Sequence, residues 1–189
     1  MCNYLDDLNH VKTLINKGKI VLCPTDTIWG LSCDALNQEA VRRIYEIKNR
    51  DLDKPLILLV DSIAHLKKWV KDVHPRVETL IHYHLRPISV VYEASQKLPD
   101  FLCNADNTVA IRVTKNQMLK KLIAHLGKPI VSTSANLQGA PSPTNFVDIS
   151  TEVINNVDYV FETHRDSANK SKSSRLIRWD QEGELIFLR

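Results

Sequence analysis

The chain gathers its apolar residues into short runs, and this limits the possible folds more than any other feature. I-V-L-C (20–23), P-L-I-L-L-V (55–60), I-S-V-V-Y (88–92), T-V-A-I-R-V (108–113) and the run from Ile130 to Thr133 each have the length of a buried strand. Between them lie segments with apolar residues three and four apart, the spacing of one helix face. Leu5, Leu8, Val11, Leu14 and Ile15 predict a helix over 5–16, stopped at Lys17-Gly18. Ala40, Val41, Ile44, Tyr45 and Ile47 predict a second over 37–48. Further helices are expected over 62–71, 76–84, 116–126 and 147–153, with an extended piece at 159–161 and late strands at 175–178 and 184–187. Strands mixed with helices, and no internal repeat, predict an α/β fold with flanking helices, a single domain over residues 1–189. The two kinds of element do not alternate strictly, so a twisted mixed sheet is expected rather than a doubly wound parallel one.

Composition narrows the class. A length of 189 residues suits one sizeable core and would cramp two. Hydrophobic residues at 43% and charged residues at 25% argue against disorder. Twenty-five Lys plus Arg against 22 Asp plus Glu give +3, compatible with anionic ligands but short of a dedicated nucleic-acid binder. Cys2, Cys23, Cys33 and Cys103 form no C-x-x-C pair, which points to reduced thiols and against a zinc site. The first ten residues lack a basic stretch followed by an apolar one, and no apolar run approaches the roughly 18 residues of a membrane span. A cytoplasmic protein is expected.

Three stretches could carry chemistry. Lys48, Arg50 and Lys54 place three cations where a helix gives way to a loop. Cations there complement a helix C-terminus, or they clamp a polyphosphate, Arg by its planar fork and Lys as a point charge. In P-I-V-S-T-S-A-N (129–136), Ser132, Ser134 and Asn136 leave the end of a strand, where α/β sheets bind ligands; capping a helix or a turn would account for them equally. Arg112 interrupts the apolar run 109–113, on a solvent face or aimed into a cleft where it would hold a carboxylate. His82 and His84 are read as structural, and Cys23 and Cys33 as small buried hydrophobes. No G-x-S-x-G nucleophile motif occurs, so chemistry would rest on positioning and charge stabilisation.

Four segments in one order resemble the YrdC family: P-T-D-T-I-W-G-L (24–31), K-N-R-D-L-D-K-P-L (48–56), V-A-I-R-V (109–113), and V-S-T-S-A-N (131–136) followed by P-S-P-T (141–144). The resemblance runs from about residue 12 to the C-terminus and implies the short, single-domain form, with a basic concave cavity on its sheet. It implies an L-threonylcarbamoyladenylate synthase, which makes threonylcarbamoyl-AMP and pyrophosphate from L-threonine, bicarbonate and ATP with Mg2+. A partner transferase then modifies tRNA position 37. It further implies Lys48 and Arg50 as catalytic cations. Arg50, Lys54, Thr108, Ser134, Asn136, Ser142 and Ser174 would bind ATP, and Thr27, Arg112 and Ser132 would bind threonine, with no protein metal site. Weak RNA binding is expected beside these substrates; the alternatives are a non-catalytic RNA-binding or ribosome-maturation module and a paralogue with another amine or acyl acceptor. The chain departs from the family at Trp29, where Tyr or Phe is usual, at Arg86 and Ser89 in L-R-P-I-S, and at Arg175 in S-S-R-L. Asp26 receives no role.

Overall fold

The computed structural model describes residues 6–166, 173–180 and 183–188. Helices are α1 (Leu8–Asn16), α2 (Gln38–Lys48), α3 (Ile63–Leu66), α4 (Pro75–Tyr83), α5 (Gln117–Leu126) and α6 (Thr151–Asn155). Strands are β1 (Val21–Cys23), β2 (Gly30–Asp34), β3 (Ile57–Val60), β4 (Ile88–Glu93), β5 (Thr108–Val113), β6 (Ile130–Ser134), β7 (Tyr159–Val160), β8 (Arg175–Trp179) and β9 (Leu185–Phe187). They form one mixed sheet of order β7-β1-β2-β6-β3-β5-β4-β8-β9, with β1/β7, β3/β5 and β4/β8 parallel and the other pairs antiparallel.

Most elements lie where the periodicity places them. Side chains accept from backbone N–H groups at the starts of the main helices: Asp7 for α1, Asn37 for α2 and Asn116 for α5. Three differences stand out. The helix expected over 62–71 is the four-residue α3, and the stretch 147–153 divides into a 3-10 turn (Phe146–Asp148) and α6. Strand β2, G-L-S-C-D, has no counterpart in the sequence reading. Its composition is poor for a strand, yet all five residues are buried because β1 and β6 pair with it on both sides. Leu5, Cys2 and residues 167–172 of the expected 165–174 loop lie outside the described residues.

Strand register sorts the sheet into two unlike faces. Cys33, Val131, Leu58, Ile111, Val90 and Ile177 are cross-strand partners in one row, and each is at most 1% exposed. The next row, Ser32, Ser132, Ile57, Ala110 and Val91, points the other way, since successive strand residues alternate faces. The first row belongs to the hydrophobic core with Leu119, Leu122 and Ile123 of α5. The second, small and partly hydroxylated, leaves room above the sheet. Cys23 and Cys33 belong to the core, where burial raises the Cys23 thiol to about 11 and holds Cys33 higher still.

Two carboxylates fasten the β7 side of the sheet. Asp158 accepts from Ile20 N at 2.8 Å and Arg43 Nη1 at 3.0 Å, and pairs with Lys19 at 3.2 Å. Asp6 accepts from Tyr159 Oη at 2.7 Å and from the backbone of Glu162 and Thr163. Burial alone would raise both carboxyls, but these donors outweigh it and hold both below the usual range. A carboxylate depressed in the folded state stabilises it fully above the unfolded pKa of about 3.9, and that contribution is lost as pH falls through the folded pKa. Asp158→Asn should therefore cost about 1–3 kcal/mol near pH 7 and flatten the acid limb of stability, read by thermal unfolding from neutral pH into the acid range.

Candidate active site

A cavity of about 510 Å³ opens on the polar face of the sheet, a volume suited to a small-molecule site. Its floor is Ile57, Ala110 and Ser132, consecutive partners across β3, β5 and β6. Its walls come from the β1–β2 loop, the loop after α2, and the ends of β6 and β8.

The β1–β2 wall is built by hydroxyl groups. Thr25 Oγ1 donates to Ile28 O at 2.7 Å, accepts from Thr27 N at 3.0 Å, and stands 2.9 Å from Thr27 Oγ1. The turn thus satisfies its own polar groups and presents Thr27 to the cavity. Arg112 Nη1 reaches Thr27 Oγ1 at 3.4 Å, and its Nη2 lies 3.2 Å from Asp26 Oδ1. Gly30 passes β6 closely: a Cβ there would meet Ser132 Oγ at 3.0 Å and Thr133 O at 3.2 Å. Gly30→Ala should overpack this contact at a cost of about 1–2 kcal/mol and push Ser132 off the floor, read as a lower Tm together with weaker ligand binding.

The second wall follows from how α2 ends. Asn49 takes the left-handed region at φ 48, which Asn tolerates better than most residues, and Arg50 N then bonds Tyr45 O at 2.9 Å. That turn carries the chain off the helix and brings Arg50 and Lys54 to the cavity. Arg50 donates from Nε to Lys54 O at 3.3 Å and from Nη2 to Pro55 O at 3.1 Å, so the plane of its guanidinium is set by its own loop. Lys54 Nζ pairs with Asp51 at 2.7 Å, and Asp51 in turn meets Gln138.

Lys48 is placed differently from the expectation that it faces phosphates beside Arg50. It is 1% exposed and does not line the cavity; its ammonium donates to Ser134 O and Asn136 O, each at 2.5 Å. Burial, with Arg50 nearby, brings its pKa down from the usual 10.5 to about 8. The helical face decides this. Lys48 shares the inward side of α2 with Val41, Ile44 and Tyr45, whereas Arg50 lies beyond the helix end. Lys48 therefore holds the loop after β6.

The structure gathers Thr27, Arg50, Lys54, Arg112, Ser132, Ser134, Ser142 and Ser174 around one cavity. Thr108 and Asn136, expected at the nucleotide, do not line it. Thr108 Oγ1 donates to Asp106 and accepts from Asn104, while Asn136 Nδ2 donates to Leu137 O and Ala140 O and so shapes its loop. Two departures are accounted for. Trp29, 1% exposed, leans on Phe146 with ring centroids 5.0 Å apart, and the Arg165 guanidinium covers the other ring 5.0 Å from its centroid, so the larger indole is taken up in the wall. Ser89 is fully buried and bonds Ser174 Oγ at 2.9 Å, fixing a cavity residue from below. Arg86 is exposed, and nothing in the structure explains it. The sequence reading gave Asp26 no role and named Ser89 only as a departure from the family; a lone acid between two threonines was the available signal for the first.

Comparison with known proteins relates the chain to one family. The family described as Sua5/YciO/YrdC, telomere recombination, matches residues 13–189. The chain is 33% identical over 150 residues to a threonylcarbamoyl-AMP synthase of Pseudoalteromonas translucida, covering 78% of this chain and 80% of that one. It is 32% identical over 161 residues to the threonylcarbamoyl-AMP synthase of Vibrio cholerae, covering 84% and 86%. Among solved structures, P. abyssi Sua5 complexed with L-threonine superposes with a TM-score of 0.83 at 28% identity, covering 96% of this chain. This chain spans about half of that protein, 53% of its length.

Proposed function

The chain belongs to the Sua5/YciO/YrdC family, and from that premise we propose that it is a threonylcarbamoyl-AMP synthase, which joins L-threonine, bicarbonate and ATP with release of pyrophosphate. One observation carries this reading: a single cavity holds a cationic rim, Arg50 and Lys54, and, on its floor and inner wall, Arg112 with Thr27 and Ser132. The two groups differ in what they suit. Two cations at an open rim, with the hydroxyls of Ser134, Ser142 and Ser174, suit a triphosphate. A deep arginine beside hydroxyls suits the carboxylate and side chain of a small amino acid.

The chemistry asks for alignment rather than a protein nucleophile. The threonine amine combines with bicarbonate to give a carbamate and water. A carbamate oxygen then bonds to the α-phosphorus as the bond to the β-phosphate oxygen breaks. Arg112, with Thr27 and Ser132, orients threonine. Arg50 and Lys54 are the cations that would offset charge developing on departing pyrophosphate, and cations already fixed at the cavity lower such a barrier. Among the described residues the cavity lining offers hydroxyls and cations and no carboxylate, so a magnesium ion would come with ATP rather than sit in a site of the protein's own. It would shield phosphate charge during the displacement. The product is proposed to pass to a transferase that modifies tRNA.

Purified protein given ATP, magnesium, bicarbonate and L-threonine should release pyrophosphate only when threonine is present. Release without threonine, or none under any combination, overturns the assignment. Tight, steeply salt-dependent RNA binding in its place would favour a nucleic-acid module.

A further inference from the structure

Asp26 is a buried carboxylate that the chemistry above leaves unused. Its side chain is 6% exposed, and that of Arg112 is 5%. Its Oδ2 accepts from Lys115 N at 2.9 Å, which ties the β1–β2 loop to the end of β5. Its Oδ1 lies 3.2 Å from Arg112 Nη2 and makes no hydrogen bond beyond that ion pair. Arg112 lines the cavity and Asp26 does not. The carboxylate therefore meets the guanidinium from behind, on the side away from the ligand space.

We infer that Asp26 is a positioning residue: its charge holds the Arg112 guanidinium toward the cavity and so sets the affinity for the carboxylate of the amino-acid substrate. This rests on the reading of the cavity as an amino-acid site. A buried guanidinium without an opposing charge is costly to the fold. Asp26 offsets that cost before any substrate arrives. Thr27 and Asp26 meet different terminal nitrogens, Nη1 and Nη2, so together they define how the planar fork is turned. Asp26 also repels a second carboxylate, but one bound on the cavity side lies nearer Arg112 than Asp26. Coulomb energy falls with distance, so attraction wins. Because Oδ1 contributes charge without a hydrogen bond, a neutral group of the same shape is the discriminating change.

Asp26→Asn keeps the shape and the oxygen that accepts from Lys115 N, and removes the charge. It should raise the KM for threonine about tenfold, the scale of one misaligned charge-assisted contact, with the KM for ATP within about twofold and a lower Tm, because the buried guanidinium loses its opposing charge. Asp26→Glu, which restores the charge, should return the threonine KM to within about threefold of the native value. A threonine KM unmoved in Asp26→Asn overturns the proposal, as does an equal rise for threonine and ATP, the pattern of a merely structural residue. A native protein without threonine-dependent pyrophosphate release overturns the functional reading itself, and this proposal with it. An active native protein whose Asn variant is unchanged overturns this proposal alone.

Discussion

Arg50→Ala slows threonine-dependent pyrophosphate release roughly 30- to 1,000-fold, a loss of about 2–4 kcal/mol of transition-state stabilisation. The size follows from where the charge sits. Arg50 lines the cavity, and its Nε and Nη2 are held by the carbonyls of Lys54 and Pro55, so its charge is in place before reaction and needs no reorganisation. Lys54 carries less. It is half-exposed, already paired with Asp51, and screened by solvent, so Lys54→Ala falls below the Arg50 variant in effect. Arg50→Lys keeps a charge but not the planar fork and should recover only part of the rate. Initial rates at saturating substrates measure all three. An Arg50→Ala enzyme within threefold of the native rate would remove the phosphate clamp from the mechanism. Its Tm should move by less than about 2 °C, because the bonds it loses are exposed.

Lys48→Ala has the opposite signature: its main effect is on stability, about 3 kcal/mol, or roughly 6–12 °C in Tm for a chain of this size. Three buried methylenes are lost at about 0.8 kcal/mol each, and two carbonyls lose their donor at about 1–3 kcal/mol each. Removing a buried ammonium returns part of that, since burial, with Arg50 nearby, disfavours its charged form. The same shift fixes a pH dependence. Between a folded pKa of about 8 and the unfolded 10.5, the unfolded chain binds the more protons, so this lysine's contribution to stability rises with pH across that window. Thermal unfolding from pH 7 to 11 should therefore show the stability of the native protein gaining on that of the variant, since the raised Cys23 and Cys33 thiols act in both and cancel in the difference. A Lys48→Ala protein of native Tm would mean that the loop carrying Ser134 and Asn136 does not depend on this ammonium.

Lys48 and Arg50 also show how far a motif can be read without a fold. Both belong to one basic cluster, two residues apart, and nothing local separates them. The end of α2 does: Lys48 is the last residue on the buried side, and Asn49 turns Arg50 outward. Strand β2 shows a related gap. Gly30, Ser32, Cys33 and Asp34 have little strand preference of their own, and the strand exists because two neighbours supply its hydrogen bonds. Asp26 was visible as an acid between threonines, but its partner lies 86 positions away on β5, and only the folded sheet brings the two together.

What the sequence by itself determined is what repeats over a few residues: short apolar runs make strands, three- and four-residue spacing makes helices, and ordered motifs carry the family likeness. The tertiary structure alone decided which row of each strand faces the cavity, which cation is buried, and which carboxylate stands behind Arg112. The physical reason is range. Propensity and periodicity act within one element, whereas strand register and buried ion pairs join residues far apart in the chain, and their energies exist only after the sheet has formed.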